Sequence, residues 1–209
     1  MARPAQPLDP ARQAHLFQTA RIAFATNGFQ ATRITAILQQ AEFQRSSFYY
    51  FFDTKERLFD AAFADGLREL STHVHLPDIA ALTQETFWPA LTQFMAGMSA
   101  AAKRADLTAV GTMFHMADRP NCSSVVAFTE AVTEWTSKIV DQGLALGVLD
   151  PEIPAELHVE LAYEVVSCLD RWAVRDANAS HVNEVPALVA AIVPRMLGQQ
   201  QRSGKQAQS

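Results

Sequence analysis

The chain has 209 residues, 49% hydrophobic and 19% charged, which excludes a disordered polymer and allows one sizeable helical domain with a smaller one appended. No apolar run is long enough for a bilayer, Met1 to Pro7 lacks a secretion signal's apolar stretch, and two cysteines cannot build a disulfide framework, so a cytoplasmic protein is expected. The net charge of −5 is uneven: up to Arg57 seven basic residues face four acidic ones, leaving a positive N-terminal module on an acidic body, as contact with phosphates would require.

Residues 1–9 read as a flexible arm, and the first helix is predicted from about Pro10 to Thr26. Leu16, Ala20, Ala23 and Phe24 share one face of it, and Gly28 supplies a left-handed stop. Thr32 offers an N-cap hydroxyl to a short second helix ending at Gln40. Ala41-Glu42-Phe43 then forms a turn, and Gln44 to Phe51 a third helix. Asp53-Thr54-Lys55-Glu56 has capping-box spacing and opens a fourth helix carrying Leu58, Ala62 and Leu70.

Beyond it, Pro89, Pro120 and Pro154 each suit a first helical turn. Helices are expected at about Trp88–Lys103, Asp106–Met116, Pro120–Leu146, Pro154–Ala177 and Glu184–Leu197. No segment shows sustained strand-type alternation. The expected fold class is all-α: a helix-turn-helix domain over 10–54, a helical body over 55–198, and a polar, disordered tail over 199–209.

A pair of short helices crossing steeply between Ile34 and Phe51 needs apolar residues where they meet. Ile37 and Ala41 supply the first helix, Phe43 the turn, and Phe48 with Phe51 or Phe52 the second. Gln44, Arg45, Ser46, Ser47, Tyr49 and Tyr50 are left mostly on the outer side. That polar, hydroxyl-rich face with one arginine suits a DNA major groove, although composition alone fits an ordinary solvated helix pair as well.

The stretch Phe48-Tyr-Tyr-Phe-Phe-Asp-Thr-Lys-Glu-Arg-Leu58 resembles the signature closing the DNA-binding domain of the TetR family. Ala20, Phe24, Asn27-Gly28-Phe29, Thr32, Ile34, Ile37 and Ala41 match the rest of that pattern in order and spacing. The likeness covers about Ala14 to Phe63. It implies a homodimer on a palindromic operator in double-stranded DNA, usually a repressor released by a small-molecule effector. Carried onto matching positions, it implies phosphate contacts from Thr32, Tyr49 and Lys55, and base-edge or mixed contacts from Gln44, Arg45, Ser46 and Tyr50. Arg33 and Ser47 join them as DNA-facing residues.

Four positions depart from the pattern. Glu42 stands where the turn usually has glycine, Gln44 where Ser or Thr caps, Leu38 where a small residue follows Ile37, and Phe51 where a polar residue is common. A side chain in a left-handed turn costs about 1 kcal/mol. These departures keep a second reading open: a helical dimer that binds a small molecule or protein, with weakened DNA binding.

In the body, Leu157, Leu161, Val165, Cys168 and Trp172 make one apolar stripe of a helix, and Val159, Ala162, Val166, Leu169 and Ala173 another. With Leu188 and Ile192 of the last helix, the first stripe is expected to pack on a twofold-related copy as part of a four-helix bundle. The middle helices concentrate Trp88, Phe94, Met95, Met98, Met113, Phe114, Phe128 and Trp135, which with His115 could line an apolar ligand cavity. What favours a cavity over plain core is the resemblance, whose members usually bind ligands among these helices.

No metal, cofactor or catalytic site is expected. His73 and His75 point in different directions on a helix, and Cys122 and Cys168 lack a CxxC spacing. His115, near Asp118 and Arg119, has no nucleophile or oxyanion partner beside it.

Overall fold

The computed structural model describes residues 8–173, 181 and 183–199, and its regular elements are helices. In chain order these are α1 (Pro10–Asn27), α2 (Ile34–Gln40), α3 (Arg45–Phe51), α4 (Lys55–His73), α5 (Phe87–Ala101), α6 (Ala105–His115), α7 (Ser123–Ala145), α8 (Ala155–Ala173) and α9 (Val185–Leu197), with a 3-10 turn at Ile79–Ala81. Extended pairing among the described residues is limited to an isolated antiparallel bridge between Leu149 and Gly198. The arm over 1–7, residues 174–177 and the tail from 200 lie outside the described residues.

Helix starts follow local chemistry. Asp9 accepts the Arg12 N–H at 3.0 Å and Pro10 fills the first turn of α1. Gly28, at φ +78°, returns its N–H to the Phe24 carbonyl at 2.9 Å and ends the helix. Three expected starts are corrected. Arg33 occupies the cap of α2 without a side-chain bond, because the Thr32 hydroxyl donates inward, 2.6 Å from the Gly28 carbonyl and 3.2 Å from that of Ala23. Thr54, not Asp53, caps α4, accepting the Arg57 N–H at 3.2 Å, while Asp53 takes φ +64° and breaks the chain away from α3. α7 begins three residues after Pro120, its first turn held by Asp60 of α4.

The turn between α2 and α3 is a full Schellman close. Phe43 N–H reaches the Leu38 carbonyl at 2.8 Å and Glu42 N–H that of Gln39 at 3.3 Å, with Leu38 and Phe43 both buried. Glu42 is the left-handed residue, at φ +49°, in the position where glycine was the expectation. Glu42→Gly should therefore raise stability by about 0.5–1 kcal/mol, the relief of left-handed strain less glycine's extra chain entropy. A denaturation midpoint that falls instead would show that the glutamate side chain stabilises the turn.

Two apolar cores form. The first joins Leu16, Phe17, Phe24, Ile37, Phe43, Phe48 and Phe52 to Leu58, Phe59 and Phe63 of α4, and then to Val110 and Met113 of α6. It is stitched by aromatic contacts: Phe24 edge-on to Phe59 at 5.2 Å, Phe59 stacked over Phe63 at 6.3 Å, Phe63 stacked over Phe114 at 6.2 Å. The second gathers Phe87, Met95, Ile139, Val140, Val189, Val193 and Leu197. The N-terminal core thus crosses the expected boundary at residue 54 and runs into the body.

Around the first core lies a charged tie. Arg21, 2% exposed in mid-α1, pairs with Asp65 at 2.8 Å and Glu69 at 3.3 Å on α4, and Glu69 also meets Arg104 at 2.7 Å. α4 can approach because it offers Gly66 there; a Cβ would stand 2.4 Å from Val110 and 2.9 Å from the Arg21 stem.

Candidate nucleic-acid interface

α3 is seven residues long and held by one side. Phe48 is 1% exposed, and Phe52 packs edge-on against Phe17 at 5.7 Å. With those rings fixed, the helical repeat turns Gln44, Arg45, Ser46, Tyr49 and Tyr50 outward, all exposed, the two tyrosines at 49% and 62%. Ser47 is half-buried on the flank. The Arg45 guanidinium lies 5.6 Å from the Tyr49 ring centre, which limits where it can point. Gln44 occupies the cap of α3 and makes no side-chain cap bond, so its amide is not committed to the helix end. Arg33 is exposed at the cap of α2.

Two expected phosphate contacts are committed elsewhere. Thr32 is 5% exposed and its single hydroxyl proton is directed at backbone carbonyls. Lys55 donates all three ammonium protons to carbonyls, of Phe29 at 2.8 Å and of Gln30 and Thr32 at 3.2 Å, and lies 4.5 Å from the Phe29 ring centre. Both residues shape the α1–α2 turn and neither presents a free donor outward.

The aromatic and methionine set of the body is divided. Met113, Phe114 and Phe128 belong to the first core, while Trp88, Phe94, Met95 and Trp135 belong to the second; Met98 is half-buried. They do not form one wall. Within the second group Phe94 and Trp135 touch at 4.9 Å, and the buried Trp135 Nε1 has no acceptor. His115 abuts Phe114 at 5.0 Å and stands 4.0 Å from Asp170 of α8. Burial, then the charges of Arg171 and Arg119, push its imidazole down to about 4, so it is neutral at physiological pH. An open cleft of about 340 Å³ lies in the N-terminal lobe, between Ile22, Ala23, Thr26, Arg33, Ala36 and Gln40.

α8 buries few of its apolar residues: His158, Ser167 and Ala173 are its buried positions. Leu157 is 43% exposed and Cys168 is exposed, whereas Leu161 and Val165 rest half-covered on the second core and Trp172 stacks on His181 at 4.2 Å. On α9, Val185, Val189, Val193 and Leu197 face inward; Leu188 and Ile192 are half-buried and Met196 is 45% exposed.

Sequence reasoning did not single out Arg21 or Asp60, and named Asp118 only beside His115. Arg21 had a visible signal, an arginine amid the apolar face of α1 opposite the i, i+4 pair Asp65 and Glu69 of α4. The other two had none.

Residues 16–62 match the model of the family described as bacterial regulatory proteins, tetR family. A comparison of the sequence with curated proteins finds no match. The fold is similar to several solved structures. One is SmeT, the repressor of the Stenotrophomonas maltophilia multidrug efflux pump SmeDEF (TM-score 0.67, 12% identity, 90% of this chain and 91% of that one). Another is a TetR-family transcriptional regulator from Agrobacterium tumefaciens (0.64, 16%, 90% and 98%). A third is the ketosteroid transcriptional regulator KstR2 of Mycobacterium tuberculosis (0.60, 18%, 95% and 100%).

Proposed function

We propose that this chain, which resembles the TetR family in the sequence of its N-terminal domain and in its whole fold, is a transcription regulator that binds double-stranded DNA through α3. The observation that carries the reading is the exposed row Gln44, Arg45, Ser46, Tyr49 and Tyr50 on a helix anchored by Phe48 and Phe52, inside the segment that matches the family model. Arg45 is the base-reading residue of choice, and Tyr49, with Arg33, serves the phosphates.

The half-covered apolar stripes of α8 and α9 support a homodimer, which sets two copies of α3 on a palindromic operator. Repression is relieved when a small apolar or amphipathic effector binds among Trp88, Phe94, Met95 and Trp135 in the body. The buried, unpaired Trp135 N–H favours an effector that brings an oxygen or nitrogen acceptor. Such an effector must prefer one spacing of the two recognition helices to shift the equilibrium.

The test is a titration of labelled duplex from upstream of the chain's own gene, against a scrambled duplex, at low and raised ionic strength. The own-gene duplex should bind more tightly, and both should weaken with salt. Silence on every duplex at low ionic strength, or a strictly monomeric protein in sedimentation, would end the proposal. In the first case Glu42, an exposed acid beside α3, supports the second reading, a dimer that binds a small molecule or protein.

A further inference from the structure

Asp118 lies in the connection between α6 and α7, in the body, yet its carboxylate serves the N-terminal lobe. Oδ2 accepts the Gln30 N–H at 2.7 Å across 88 positions of sequence, and the neighbouring Phe29 N–H adds to the pull on the carboxyl. These amides, the Gln30 N–H foremost, hold the carboxyl below the usual carboxylate range, although little of the group is buried. The amides belong to the turn whose carbonyls Lys55 grips from α4. One short turn is therefore clamped on both kinds of backbone group, from two different elements.

Gly28 makes the approach possible: a Cβ there would stand 3.2 Å from the Asp118 carboxylate on a backbone already at φ +78°. The far end of the same connection is fastened as well. Asp60 of α4 accepts the Ser123 hydroxyl at 2.6 Å and the Ser124 N–H at 2.7 Å, and the Ser124 hydroxyl donates to the Asp60 carbonyl at 3.2 Å. A segment of the body is thus tied at one end to the α1–α2 turn and at the other to α4.

We infer that Asp118 is a positioning residue for the DNA-facing surface: from outside the helix-turn-helix it fixes the α1–α2 turn, hence the start of α2 and Arg33. The purpose assigned to the contact rests on the DNA-binding reading; the contact itself does not. Among the described residues Asp118 is the side chain that bonds the Gln30 N–H, so the α6–α7 connection contributes directly to the order of the turn.

The experiment is amide hydrogen exchange on the full chain, comparing wild type with Asp118→Ala and Asp118→Asn. Asp118→Ala should speed exchange at Phe29, Gln30 and the first turn of α2 by about tenfold, the factor associated with a lost charge-assisted bond. Amides in α8 and α9 should change by less than about twofold, as for a distant independent site. Asp118→Asn keeps an acceptor oxygen in place and should recover part of the protection, which a simple packing defect would not. Unchanged exchange at 29–36 in Asp118→Ala would overturn the inference, as would acceleration spread evenly into α8 and α9. No DNA is present, so the result decides the positioning role whether or not any duplex is bound.

Discussion

Phe59→Ala should remove about 3–5 kcal/mol of stability, the range for truncating a fully buried aromatic ring. Set against the roughly 5–15 kcal/mol that holds an ordinary domain, that is about a fifth of the total at the least. The size follows from position. Phe59 is 0% exposed and contacts Phe24, Phe29 and Phe63 at ring distances of 5.2, 5.6 and 6.3 Å. Its loss opens a cavity where α1, the following turn and α4 meet, and rigid neighbours on three sides cannot collapse into it. Chemical denaturation of the variant beside Tyr49→Ala makes the comparison internal, because Tyr49 is half exposed and should cost within about 0.5 kcal/mol. Equal midpoint shifts would mean that the aromatic seam is not what holds the lobe.

The other large effect concerns recognition. Arg45→Ala should lower affinity for the own-gene duplex by roughly fivefold to 150-fold, the equivalent of the 1–3 kcal/mol carried by a bidentate arginine on guanine. Affinity for a scrambled duplex should fall by much less. Arg45→Lys sharpens the test, since lysine keeps the charge and loses the planar fork. It should retain the scrambled-duplex affinity and lose the preference. Parallel losses on both duplexes in Arg45→Ala would reduce the residue to a phosphate contact and leave sequence reading to Gln44, Ser46 and Tyr50.

Much of the N-terminal lobe was legible because its signals are local. The spacing of Ile37, Ala41, Phe43, Phe48 and Phe52 fixes which face of each helix is covered, and all five are buried. The outward face of α3 follows from the same repeat. The directions of the Thr32 hydroxyl and the Lys55 ammonium were not legible for the opposite reason: they depend on carbonyls brought together by the turn at 28–32, and no pattern in the sequence states that. The body's aromatic residues were expected as one set because composition groups them, yet which helix lies beside which separates Met113 and Phe114 from Met95 and Trp135. Asp118 was noticed only as a neighbour of His115. Its partners, 88 residues earlier, are backbone amides with no side-chain signature at all.

The apolar seam that passes from α1 through Phe59 and Phe63 to Phe114 has a practical corollary for protein engineers. A chimera joined at residue 54 would pair a foreign reader with the wrong half of its own interior. Grafting a new specificity onto this body should instead exchange only the outward side chains of α3, leaving every ring of the seam native. By the same logic α1 and α4 should not melt ahead of α6, because the three share one interior.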